Sequence, residues 1–164
     1  MNTLQLKDYL CCHLPHICTE VLALDELQTL QLSYPAALIV NTEPSTKPGE
    51  HWVAVYLTCG GKGYYMDTRG AAPCATLRKF LRRVAPGGSV YNSQRLQSIF
   101  TDLCGAYCVD FLYHRHVIPY MSYARLLAHL YPYRDPWKND VVVHRRFEII
   151  FKTRLAVKRV KRLT

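Results

Sequence analysis

The chain has 164 residues, 49% apolar and 12% aromatic, which excludes a disordered chain and suits a single domain with one core. Lys and Arg outnumber Asp and Glu by 21 to 12, a formal net charge of +9 that points to a polyanionic partner. No apolar run approaches the roughly 20 residues that span a bilayer, the N-terminal residues lack the pattern of a secretion signal, and seven irregularly spaced cysteines fit a reducing compartment; the expectation is a soluble, unsecreted protein with free thiols and no membrane partner.

Apolar spacing predicts an opening helix over residues 4–14 and a second short helix or turn over 22–32, with Asp25 and Glu26 near its start. Cys11, Cys12, His13, His16 and Cys18 are zinc-ligand types, but they lack paired C-x-x-C knuckles and sit in a helical apolar pattern. They read as core packing, and no metal is expected. Residues 36–40 (AALIV) read as a buried strand, and 41–49 (NTEPSTKPG) as a loop dense in turn formers. Residues 52–57 (WVAVYL) and 64–66 (YYM), separated by a glycine-rich turn, form a strand, turn, strand unit.

After Asp67-Thr68-Arg69-Gly70, residues 75–84 place Leu77, Phe80, Leu81 and Val84 on one helical face and Arg78, Lys79, Arg82 and Arg83 on the other. Pro86-Gly87-Gly88 ends that helix, and residues 90–96 predict another short strand. Tyr107, Cys108, Phe111 and Leu112 repeat at three and four, so a helix starts at or just before Cys104 and runs to about His116. Ser122 caps a further helix reaching about Tyr131, and a last helix is expected over 141–151, after Pro132 and Pro136. Strands first and helices second indicate one α+β domain over residues 1–151. A basic tail over 152–164, including Lys158, Arg159, Lys161 and Arg162, suits DNA or another polyanion, or a nuclear address.

A cysteine attacks as the thiolate, and a helix start favours that form through unpaired N–H groups and the helix dipole; Cys104 occupies such a place. Gly105 beside it would let a substrate approach the backbone, whereas Cys108, one turn on, reads as core. A thiol nucleophile needs a base, and the base a partner that fixes its tautomer. His51 opens one strand and Asp67 ends the next, and an antiparallel turn sets those two ends side by side. Acyl transfer also needs donors for the oxyanion: the N–H at the nucleophile and a glutamine amide, for which Gln97 and Gln94 both qualify on composition. His114 and His116 lie at the far end of the nucleophile helix, about 15 Å away at 1.5 Å rise per residue, and read as surface or capping groups.

The segments Asn41-Thr42, Gly49-Glu50-His51-Trp52, Tyr65-Met66-Asp67-Thr68-Arg69-Gly70 and Gln97-Ser98-Ile99-Phe100-Thr101-Asp102-Leu103-Cys104-Gly105-Ala106-Tyr107-Cys108, in that order, resemble the adenovirus protease (adenain) family of viral cysteine peptidases. The resemblance spans residues 6–112. It implies His51 as base, Asp67 as orienting acid, Gln97 as oxyanion donor and Cys104 as nucleophile, and the gap of seven residues selects Gln97 over Gln94. The implied fold is adenain-like and SUMO-protease-like, a central, mostly antiparallel sheet flanked by helices.

The implied function is a monomeric endopeptidase of the host nucleus and virion that matures capsid and core precursors near Gly-Gly or Gly-X sites, without metal or small-molecule cofactor. The adenovirus enzyme itself is stimulated by DNA and by a short viral peptide, and the expected DNA contacts here are Arg78, Lys79, Arg82, Arg83 and the tail cations. That enzyme tethers its peptide through a cysteine in the region corresponding to residues 75–103, which holds none in this chain; Cys74 lies just outside it. Two other readings stand beside this one. Proteases of ubiquitin-like modifiers share the His, Asp, Gln, Cys order, and a basic nucleic-acid-binding virion protein would need only the scaffold and the charge.

Overall fold

The structure, a computed structural model, describes residues 1–152; the tail cations Lys158, Arg159, Lys161 and Arg162 lie outside the described residues. Helix α1 (Thr3–His13) opens the chain, capped by Asn2, whose side chain accepts from the Gln5 N–H while Gln5 reaches back to the Asn2 N–H. Strand β1 (Cys18–Ala23) follows, then a 3-10 turn (Leu24–Gln28). The expected helix over 22–32 is thus reduced to one turn, and its first residues belong to a strand whose polar positions, Thr19 and Glu20, lie at the sheet edge.

Strands β2 (Ala36–Asn41), β3 (Trp52–Leu57) and β4 (Gly63–Met66) match the expected strand positions, and β5 (Ser89–Tyr91) is shorter and earlier than the expected 90–96. The strand order is β1-β2-β3-β4-β5. The central pairings, β2 with β3 and β3 with β4, are antiparallel; both outer pairings are parallel, so the sheet is mixed.

Helices α2 (Ala75–Val84), α3 (Cys104–Val117) and α4 (Tyr123–Leu130) fall where periodicity places them. Helix α5 (Pro136–Arg146) begins earlier than expected, because Pro136 takes the first helical position behind the cap Asp135, where its missing N–H costs nothing. A π-helical segment (Phe147–Lys152) continues it.

Both sheet faces are covered, which explains why β2 is an unbroken apolar run instead of an alternating one. Ala37, Ile39, Ala54 and Met66 pack with Leu6 and Leu10 of α1 and with Tyr107, Cys108, Phe111 and Leu112 of α3. Ala36, Leu38, Val40, Val53 and Val55 face the apolar stripe of α2. No helix among the described residues is long and apolar enough to cross a membrane.

Candidate active site

Register places the first two groups. Ala54 pairs with Met66, so the start of β3 lies alongside the end of β4, and His51 and Asp67 are the residues that flank those ends. Both are 4% exposed, and His51 Nε2 lies 2.7 Å from Asp67 Oδ1. The Arg69 N–H donates to the same oxygen at 2.7 Å, which fixes the carboxylate.

Asn92, directly after β5, holds the Asp67 backbone from the other side. It accepts from the Asp67 N–H at 3.0 Å and donates to the Asp67 carbonyl at 2.6 Å. This one side chain thus satisfies both backbone groups of Asp67 just where the β4–β5 pairing stops.

Cys104 is the first residue of α3 and is half-buried. Its N–H therefore has no acceptor within the helix. Its thiol lines the same cleft as the His51 ring, each shifting the other's titration, and with Nε2 engaged by Asp67 the ring nitrogen left to address the thiol is Nδ1.

Burial pushes the thiol up, but the bond to His51 and the backbone amides of Trp52 and Gly105 outweigh it and hold Cys104 below its ordinary value. For His51, burial disfavours the imidazolium, and the bonds to Asp67 and Cys104 overcome that and raise the ring above its ordinary value. The pair is thus shifted toward thiolate and imidazolium. Cys108 is fully buried and pushed well above the ordinary thiol range, as a core cysteine should be.

Gln97 lines the same cleft, a cavity of about 390 Å³ bordered also by Glu50, His51, Arg69, Arg95 and Cys104. The two loops that carry Asp67 and Gln97 are laced together. The N–H groups of Leu96 and Gln97 donate to the Thr68 carbonyl at 2.8 and 3.2 Å, and the Thr68 hydroxyl donates to Gln97 Oε1 at 2.8 Å. Gly70, at φ +72°, lies so close to the other loop that a Cβ would sit 2.7 Å from the Gln94 carbonyl carbon. Gln94 itself is exposed and lines a separate groove with Tyr91 and Tyr123.

The structure therefore gathers His51, Asp67, Gln97 and Cys104 into one cleft: an imidazole, the carboxylate bonded to it, a thiol and a side-chain amide. The expected role of Gly105 is corrected. Its open side faces Met1 and Leu6, either of which a Cβ would meet within 3.2 Å, so the glycine admits the N-terminal segment and not a substrate. His114 and His116 are not free surface groups: His114 Nδ1 bonds the Asp110 carbonyl at 2.8 Å and His116 Nδ1 the Tyr56 hydroxyl at 3.0 Å.

Of the four basic residues of α2, Arg78 donates to the Pro73 carbonyl and Arg83 to the carbonyls of Leu27 and Leu30. Lys79 and Arg82 are exposed. Among the described residues no group of three or more His, Cys, Asp or Glu is placed to hold a metal. Sequence reasoning missed Thr68, Asn92 and Asp140, whose hydrogen bonds set the geometry of the site; the only signal was an Asn at a strand end.

No family model matches the chain, and no curated protein matches it in sequence. Solved structures do. A crystal structure of ASFV pS273R protease superposes with a TM-score of 0.64 at 13% identity, over 88% of this chain and 66% of that one. A selenomethionine form of the same protease gives 0.46 at 23% identity, over 56% of this chain and 37% of that one. The chain spans less than two thirds of the length of the proteases it matches. Its fold, an α+β arrangement of a five-stranded mixed sheet between helices, is that of ASFV pS273R protease.

Proposed function

We propose that the chain is a viral cysteine endopeptidase of the adenain type that cuts capsid and core precursors near Gly-Gly or Gly-X sites. The observation that carries this reading is the His51 ring, bonded to Asp67 at 2.7 Å and sharing one cleft with Gln97 and the Cys104 thiol, whose titration it lowers. The Cys104 thiolate attacks the scissile carbonyl carbon, forming the S–C bond while the oxyanion is held by the Gln97 amide and the Cys104 N–H. The imidazolium of His51 gives its proton to the departing amine as the C–N bond breaks, then takes one from the water that hydrolyses the thioester. Asp67 keeps the ring in the tautomer and orientation that both steps need.

DNA is the proposed stimulating partner, through Lys79, Arg82 and the basic tail, with Arg78 and Arg83 adding charge from anchored positions; a short viral peptide is the proposed second activator. The proposed place of action is the host nucleus and the virion, as a monomer. Incubation with Gly-Gly-containing precursor peptides tests the reading. Wild type should cleave them and Cys104→Ala should not; cleavage by the variant would refute it.

The SUMO-protease-like fold supports a second reading, a peptidase of ubiquitin-like modifiers. Relative turnover of a ubiquitin-like C-terminal fusion and a viral precursor peptide separates the two.

A further inference from the structure

We propose that Asp140 is a positioning residue for the reaction: it fixes which end of the Gln97 amide faces the cleft and holds that amide in register with the nucleophile's helix. The inference rests on the peptidase reading for its kinetic consequence, but not for its geometry.

Asp140 lies on α5, 3% exposed and 36 residues beyond Cys104 in the chain. Its carboxylate accepts three neutral donors. The Tyr107 hydroxyl, one turn into α3 from Cys104, donates to Oδ1 at 2.8 Å. The Thr101 hydroxyl and the Ser98 N–H, both on the loop between Gln97 and Cys104, donate to Oδ2 at 2.9 and 3.2 Å. One buried side chain thus ties that loop to the helix whose first residue is Cys104. The neighbouring Asn139 adds a bond to the Leu96 carbonyl at 3.3 Å.

The consequence reaches Gln97 through Thr101. Gln97 Nε2 donates to the Thr101 carbonyl at 2.6 Å and, more weakly, to its hydroxyl at 3.3 Å. A carbonyl only accepts, so it demands the nitrogen end of the amide. The Thr68 hydroxyl on the other side of Gln97 is a donor or an acceptor as needed and imposes no choice. Orientation is therefore set by Thr101, and the position of Thr101 by Asp140. A flipped amide would present Oε1 to a developing oxyanion, which repels it. In the observed orientation the weaker 3.3 Å contact is the one from which a substrate oxyanion can draw a hydrogen.

Asp140→Asn tests this with little change of shape. An amide offers one acceptor oxygen in place of two charged ones: with that oxygen kept for the Thr101 and Ser98 donors, its NH2 faces the Tyr107 hydroxyl, which must turn its hydrogen to the Leu96 carbonyl at 3.1 Å, so the tie to α3 loses both its charge and the bond that Tyr107 donates. Two reactions of Cys104 then separate position from reactivity. With iodoacetamide the thiolate forms an S–C bond as iodide leaves, and no oxyanion appears; peptide cleavage requires one. Asp140→Asn should alkylate at Cys104 at near the wild-type rate and keep KM within about twofold, while kcat falls by about tenfold or more. Gln97→Ala should show the same pattern, and the double variant should be no slower than Gln97→Ala alone.

A wild-type kcat in Asp140→Asn, or a loss of alkylation that matches the loss of kcat, overturns the proposal. If Asp140→Asn does not fold, Thr101→Val removes the hydroxyl link alone and should give the same split. If wild type cleaves no peptide, the peptidase reading fails, and the Gln97 side-chain NH2 resonances decide the geometry: displaced and exchange-protected in wild type, they should approach free glutamine in Asp140→Asn. Unchanged resonances in that variant overturn the inference.

Discussion

The side-chain amide of Asn41 fills the space in front of Gly49, so that a Cβ at residue 49 would overlap the amide nitrogen. Asn41 is itself held by the Glu43 N–H, which donates to Oδ1 at 2.9 Å, and the Thr42 N–H donates to the His51 carbonyl at 2.9 Å. The loop is thus pressed against the end of β2 just before it delivers His51. Gly49→Ala should destabilise the fold by about 1–3 kcal/mol through overpacking, and should slow alkylation of Cys104 by displacing His51. Adding Asn41→Ala clears the volume and should recover part of the loss. Denaturant unfolding of both single variants and the double variant measures the coupling.

Cys104 should alkylate with a midpoint below the ordinary thiol value of 9.0. In His51→Ala the midpoint should move upward, because burial then opposes the thiolate with only the Trp52 and Gly105 amides against it. Cys108 should stay unreacted throughout. In Cys104→Ala the imidazole loses one of the two bonds that raise it, so its titration should move down toward 6.5. Protonation of His51 contributes stability that is full below its unfolded value and lost as pH rises through its raised folded value, and removal of the thiol should narrow that window. Mass spectrometry of the adducts and NMR titration of the ring read these shifts.

Asp67→Asn should be milder than Asp67→Ala. His51 and the Arg69 N–H both address the same oxygen, Oδ1, and the Arg69 donor would keep the oxygen end of an asparagine in that place. The tautomer survives and the charge is lost, so His51 titrates lower and kcat drops by about tenfold, against about a hundredfold or more for Asp67→Ala. Equal losses in the two variants would contradict this account of how the ring is oriented.

The basic face of α2 divides into two kinds of residue. Arg83 ties α2 to the turn after β1 through the carbonyls of Leu27 and Leu30, so Arg83→Ala should lower stability by about 1 kcal/mol or more. Lys79→Ala and Arg82→Ala should leave stability unchanged. If DNA is the partner proposed above, each should reduce the salt dependence of binding by about one unit of slope, read by titration of duplex DNA across a range of salt concentrations; no measurable binding by wild type would remove DNA from the proposal.

Legibility in the sequence followed the range of the interactions. β2, β3, α2 and α3 were readable because their burial repeats within each segment, and His51 and Asp67 because a short hairpin joins them. β1 was not, since Thr19 and Glu20 interrupt its apolar pattern and its partner β2 lies across an intervening turn and loop. Pro136 looked like a break because a proline can follow the end of one helix or take the first position of the next, and only the Asp135 cap tells which. Asp140 carries no local signal at all: an aspartate on a helix reads as solvated until the loop bearing Ser98 and Thr101 is seen to fold onto it. Gly105 misled because a glycine beside a nucleophile suits a substrate and a packed methionine equally well.

The amide of Asn92 is a counterfeit peptide group. By bonding both backbone groups of Asp67 it takes up the donor and the acceptor left where β5 stops at Tyr91, and the chain beyond it runs on to Gln97. The edge of the sheet is thereby also a joint, and its rigidity comes from a side chain that a single substitution can remove.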